Sequence, residues 1–172
     1  MRRTILAIML ALALVLIPVG SAFAAKTADV TITATGGKLS ITITKGTPWE
    51  IGTVVQEETI ETAVTRFGVD NDGTVNADIT IHGHDTEPAG GGTLWTLSED
   101  GTAGSDIYGL NFSRQAAPGW TAIPKTTPAV YLSGFTPAAG VDEFGLQILT
   151  PTVITDTTNL QTAIVTLSAA KA

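Results

Sequence analysis

The feature that most constrains this chain is a two-residue hydrophobic period. Residues 39–44 read Leu-Ser-Ile-Thr-Ile-Thr. Leu39, Ile41 and Ile43 therefore fall on one side of an extended chain, and Ser40, Thr42 and Thr44 on the other. The same alternation sends Val75, Ala77, Ile79 and Ile81 inward and Asn76, Asp78, Thr80 and His82 outward. It returns in Ala63, Thr65, Phe67 and Val69, in Phe144, Leu146 and Ile148, and in Ala163, Val165 and Leu167. A helix would scatter these residues around its circumference. Threonine is the commonest residue, with 29 copies. Its branched Cβ suits a strand face in contact with water. Further strand-like runs cover 92–98, 106–113, 129–133, 143–149 and 161–168, and Gly/Pro-rich breaks cover 83–92, 114–128 and 136–142. Gly36-Gly37 and Asp72-Gly73 are tight-turn signals, so residues 28–44 and 62–82 are predicted as two hairpins. Within 54–63, Glu57, Glu58 and Glu61 have helical spacing, which predicts a short helix or a charged loop. The fold class expected is all-β: a two-sheet antiparallel β-sandwich of the Ig-like or Greek-key kind, with a closed β-barrel as the alternative.

The first 24 residues have a different composition. Arg2-Arg3 precedes an unbroken apolar run over 5–17, then Pro18 and Gly20, then Ala22-Phe23-Ala24. This is the pattern of a secretory signal peptide cleaved after Ala24. The run is shorter than the ~20 apolar residues of a membrane span, so no membrane span is expected after cleavage. Residues 25–172 are then one domain. The expected location is secreted, extracellular or on the cell surface. The formal charge of −7 argues against a nucleic-acid partner, whose phosphates demand Lys and Arg. The absence of cysteine excludes disulfides, thiolate metal sites and a thiol nucleophile.

Few residues suggest chemistry. Asp70-Asn71-Asp72-Gly73 has the spacing of a calcium-loop fragment, with Asp70 and Asp72 as ligands. The residue two before Asp70 is Gly68, and Asp-Gly is by itself a turn signal. His82-Gly83-His84 puts two imidazoles on one side of a strand, a spacing that suits a transition metal if a third ligand is near. Trp120, with Tyr108 or Tyr131, supplies flat aromatic faces for a sugar ring, and the same side chains are core material. No G-x-S-x-G, HExxH or phosphate-binding loop occurs, so no enzyme is expected.

Three segments carry a resemblance. They are Gly37-Lys-Leu-Ser-Ile-Thr-Ile43, the stretch from Phe67 through Asp70-Asn-Asp-Gly73 to Ile81, and Phe144-Gly-Leu-Gln-Ile-Leu-Thr-Pro151 ahead of a Thr-rich end. The chain resembles exported prokaryotic Ig-like β-sandwich surface proteins, including biofilm-matrix fibre and camelysin-type proteins. Trp95-Thr96-Leu97 is also similar to the WxL cell-wall-binding motif. The fibre resemblance implies self-assembly, in which a strand of one copy completes a sheet of the next. The donor is then residues 25–35, with Val30 and Ile32 as anchors. The alternative is that this strand pairs within its own chain through Gly36-Gly37. The partner is accordingly a second copy of the chain or a matrix or wall polysaccharide.

Overall fold

The computed structural model describes residues 35–172. The compact unit over residues 36–172 is all-β, and no helix occurs among the described residues. Its strands are β1 (Thr42–Lys45), β2 (Thr59–Glu61), β3 (Phe67–Asp70), β4 (Ala77–Gly83), β5 (Glu87–Pro88) and β6 (Thr96–Leu97). They continue with β7 (Ile107–Arg114), β8 (Ala117–Ala122), β9 (Ala129–Phe135), β10 (Asp142–Leu149), β11 (Gln161–Thr162) and β12 (Val165–Lys171).

The large sheet has seven strands in the order β1-β3-β10-β7-β6, with β2 added to β10 and β8 to β7. A second sheet has the order β12-β4-β9, and β11 with β5 forms a short ribbon. Only the β6–β7 pairing is parallel among the described pairs of strands. The large sheet curls, but no pairing among the described residues closes it, so the closed barrel is not formed.

The alternation read in the sequence sets the inner faces. Ala77, Ile79 and Ile81 of β4 are buried, as are Leu110 and Phe112 of β7 and Phe144, Leu146 and Ile148 of β10. These side chains and Phe67, Val69, Tyr131 and Phe135 form one core, giving a sandwich-like packing of the two main sheets. Tyr131 links them: its ring is edge-on to Phe144 at 5.4 Å and tilted against Phe112 at 5.6 Å. Its hydroxyl donates to Asp142 Oδ2 (2.5 Å), and Arg114 donates to the same carboxylate through Nε and Nη2 (2.9 and 2.7 Å). A fork of this kind is the strong form of a charge-assisted hydrogen bond.

Several expectations are corrected. Of the two readings of 54–63, the helix is not formed, and the acidic residues Glu57 and Glu58 lie in a turn ahead of β2. Glu57 has a φ of 57°, which a helix does not tolerate, and β2 follows it. Buried Thr150 pins the turn: its hydroxyl donates to Val55 O (2.6 Å) and accepts from Glu58 N–H (2.8 Å). The predicted 62–82 hairpin is not a hairpin, because β3 lies in the large sheet and β4 in the small one. Asn71 makes that corner. It is buried, its Nδ2 donates to Val75 O and to Phe135 O (3.0 and 2.6 Å), and its Oδ1 accepts from Gly73 N–H (3.0 Å). The strand lost to β3 is replaced by β1, which pairs with it antiparallel. The 114–128 break contains β8, and the 161–168 run divides into β11 and part of β12, which belong to different sheets.

The predicted 28–44 hairpin falls partly outside the described residues. Its turn does not: neither Gly36 nor Gly37 has a positive φ, so neither holds the left-handed conformation of a tight two-residue hairpin. Lys38 is instead held at the Asn71 corner. Its N–H donates to Thr74 Oγ1 (2.8 Å), and Thr74 N–H donates to its carbonyl (2.7 Å).

Candidate functional groove

A groove of about 1090 Å³ lies against the large sheet, and its floor side chains are buried. Phe67, Leu110, Leu146 and Ile148 contribute to the floor from three adjacent strands of the large sheet, with Trp95 just ahead of β6. One wall is residues 47–54, including Trp49, and the other is residues 156–165. Trp49 stands edge-on to Phe67 at 6.4 Å, and Phe67 stacks on Phe144 at 5.3 Å. The second wall presents apolar tips to solvent: Leu160 is 71% exposed and Ile164 44%.

The polar groups of the groove are few. Thr86 hydroxyl donates to Gln161 Oε1 (2.5 Å) and accepts from Trp95 N–H (2.7 Å), tying the β5–β11 ribbon to the floor. Trp95 Nε1 is buried and has no hydrogen-bond partner among the described residues. Among the described residues of the lining, Glu50 and Asp156 are the charged ones, and neither Lys nor Arg occurs. The Asn159 side chain, with Thr158, draws the Asp156 carboxyl down to about 2, so this rim stays negative. The groove lies toward the end of β4 that leads to Thr86, whereas Lys38 and the Asn71 corner lie at its start.

The residues singled out in the sequence are placed as follows. Val30 and Ile32 lie outside the described residues. Asp70 ends β3, and Asp72 is exposed in the corner with its carboxylate 3.4 Å from Lys38 Nζ. A hydrogen bond from Ser40, with the charge of Lys38, holds the Asp72 carboxyl below its usual range. His82 and His84 are brought together, with ring centroids 4.9 Å apart. His84 Nε2 lies 3.4 Å from Thr166 Oγ1, and His82 Nδ1 is buried without a partner. Among the described residues no group of three or more His, Asp or Glu side chains is arranged to hold a metal ion, so neither pair acquires a third ligand of these types.

The three aromatic candidates are not brought together as one platform. Tyr108 and Tyr131 are buried, and only Trp120 is exposed. Tyr108 donates its hydroxyl to His84 O (2.5 Å), and burial, helped by the charge of Asp85, pushes its ionisation well up. Burial, with the hydrogen bond to Asp142, does the same for Tyr131. Both are inward positions of strands, where alternation directs a large ring into the core.

The groove itself was not legible in the sequence, because its floor residues read as ordinary core. Trp49 was the available signal, an aromatic flanked by Thr47-Pro48 and Glu50 rather than by an alternating run. No family model matches this chain, and no curated protein matches it.

Proposed function

We propose that this protein is an exported, non-enzymatic structural component of the cell surface or extracellular matrix. Its subunit is an Ig-like Greek-key sandwich, and copies join head to tail by strand addition. Chain crossovers between the two main sheets at β3–β4, β8–β9 and β9–β10 support the Greek-key reading.

The observation that carries the functional reading is the groove. Its floor is a strip of buried apolar side chains from β3, β10 and β7, walled by the exposed tips of Leu160 and Ile164. An extended strand with alternating apolar residues matches such a strip, laying one row of side chains on the floor and the other toward water. Residues 25–35 have that pattern, and Val30 and Ile32 are the anchors. A strand also brings backbone carbonyls, the kind of acceptor that buried Trp95 Nε1–H lacks. Leaving such a donor unmet costs about 1–3 kcal/mol.

A head-to-tail polarity is supported by the two ends of β4: Lys38 is held at the Asn71 corner, and the groove lies toward the far end. A donor at one pole and an acceptor at the other make a heterologous contact, which propagates as a filament unless its rotation closes a ring.

The test is the double variant Leu160→Glu, Ile164→Glu. Both side chains are exposed on the groove wall, so the core is untouched. The new charges join Glu50 and Asp156 in a site meant for apolar side chains. The variant is expected to stay monomeric by light scattering where the wild type polymerises, with a melting temperature within a few degrees. Polymerisation at the wild-type rate would contradict the reading.

A further inference from the structure

The small sheet ends on one side in β12, which pairs with β4 alone among the described strands. Its seven residues keep an unbroken register with β4 and include no proline. The other edge, β9, is interrupted by register shifts and carries Gly134 at a φ of 64°. The two edges also differ on the core side. Pairing sets Val165, Leu167 and Ala169 opposite Gly83, Ile81 and Ile79, so all three face the core. Ile79 and Ile81 are fully buried, yet Val165, Leu167 and Ala169 are only half-buried. At the β9 edge, Tyr131 and Phe135 are buried. A regular edge strand with half-covered core side chains is a template for one more strand. Val165 also lines the groove, so edge and groove are continuous.

We infer that β12 is the edge that receives residues 28–34 of a neighbouring copy, and that the two strands run antiparallel. This rests on the strand-addition reading and names the backbone partner of the donor. Residues 28–34 match the seven residues of β12 in length. Ala28, Val30, Ile32 and Ala34 form the inward row, and Asp29, Thr31 and Thr33 the outward one. The outward row extends a polar face in which Thr166 and Ser168 stand beside His82 and Thr80. Hydroxyl pairs across strands are favourable. The direction follows from the poles. β12 begins at the groove end, with Val165 opposite Gly83, and finishes at the Asn71 corner, where Ala172 N–H donates to Asn76 O (3.1 Å). Lys38, just past the donor segment, is held at that same corner. In a head-to-tail contact the donor enters the neighbour at Val165 and lies back toward Lys171. Ala34 then faces Val165, Ile32 faces Leu167 and Val30 faces Ala169. Asp29 comes beside Lys171, which makes no salt bridge among the described residues. A donor folded back on its own copy would run parallel to β12, the slightly weaker pairing.

The chain has no cysteine, so an introduced pair reports the contact. Thr33→Cys with Thr166→Cys puts two thiols at opposed outward positions, within disulfide reach in the antiparallel pairing. In the parallel pairing Thr33 lies beside Ala170 instead. Assembly in reductant followed by mild oxidation is expected to give a ladder of covalent multiples on a non-reducing gel. Thr33→Cys with Val130→Cys, on the β9 edge, is expected to give none. Independently, assembly of the wild type is expected to slow hydrogen exchange of alternate amides in 165–171 by about ten-fold or more, leaving 129–135 unchanged. Absence of the first ladder or of this protection in a protein that assembles, or a ladder from the Val130 pair, would overturn the assignment of this edge and leave the strand-addition reading standing. A protein that does not assemble would overturn both.

Discussion

Replacing Asn71 by Ala is expected to destabilise the domain by about 3 kcal/mol, read from the shift in a urea unfolding curve. The side chain is buried and makes three hydrogen bonds at the corner between β3 and β4. Its amide donates to Val75 O on its own turn and to Phe135 O at the end of β9, so it ties the corner to the small sheet. Truncation leaves two carbonyls and the Gly73 N–H without this partner. Each buried polar group so orphaned costs about 1–3 kcal/mol, and part of the loss is recovered where water enters. Asn71→Asp separates hydrogen bonding from shape. A carboxylate there faces two carbonyl oxygens with no proton to donate, so at neutral pH it is expected to be at least as damaging as Ala. A loss below about 1 kcal/mol in both variants would show that the corner is held by something else.

Replacing Arg114 by Ala is expected to cost about 2–3 kcal/mol at pH 7. The Arg114 fork and the Tyr131 hydroxyl converge on Asp142, which joins β7, β9 and β10 at the margin of the core. Side-chain exposures of 17% for Arg114 and 11% for Asp142 leave the pair some contact with water. The cost therefore falls below the roughly 3–5 kcal/mol of breaking a fully buried pair. Burial by itself raises the Asp142 carboxyl, but the bonds from Arg114 and Tyr131 outweigh it and hold the group below the ordinary 3.8. The sign of the pH dependence follows. A carboxyl depressed in the folded state contributes stability that is fully present above the unfolded value, and this is lost as pH falls through the lower folded value. Wild type is therefore expected to lose stability below about pH 4 from this group. Arg114→Ala is expected to lose less over the same interval, because its Asp142 has been relieved of the partner that lowered it. Parallel pH–stability curves for the two proteins would contradict this account. Adding Asp142→Asn to Arg114→Ala should recover part of the loss, since the uncompensated charge goes with it.

The legible part of the fold was the part governed by local alternation. In β4 burial alternates strictly, and in β7 and β10 the inward Tyr108, Leu110, Phe112, Phe144, Leu146 and Ile148 are all buried, although the outward Gly109, Ser113 and Gly145 are buried as well. Pairing was less legible, because it depends on what lies across the sheet. Asp72-Gly73 is a turn signal whether the chain returns to the same sheet or crosses to the other. The deciding residue, Asn71, acts through a carbonyl 64 positions away. Glu57, Glu58 and Glu61 matched a helical spacing, but Thr150, distant in sequence, binds the backbone of that segment. β8 was hidden because Pro118 and Gly119 read as loop. It lies beside β7 with an irregular register, where such residues are tolerated. The aromatic candidates divided by strand parity: Tyr108 and Tyr131 took inward positions and Trp120 an outward one. The groove is lined by residues 47–54, by the large sheet and by residues 156–165, which no single segment encodes.

Self-assembly is the central claim, and the molar mass of the purified protein spanning residues 25–172 tests it most directly. The measurement is light scattering, with the same samples imaged by negative stain, on wild type and on a chain lacking residues 25–35. The account predicts filaments or multiples of the subunit mass for the wild type and a folded monomer for the deletion. A wild type that remains a monomer at all concentrations, or a deletion that polymerises as readily, would contradict it.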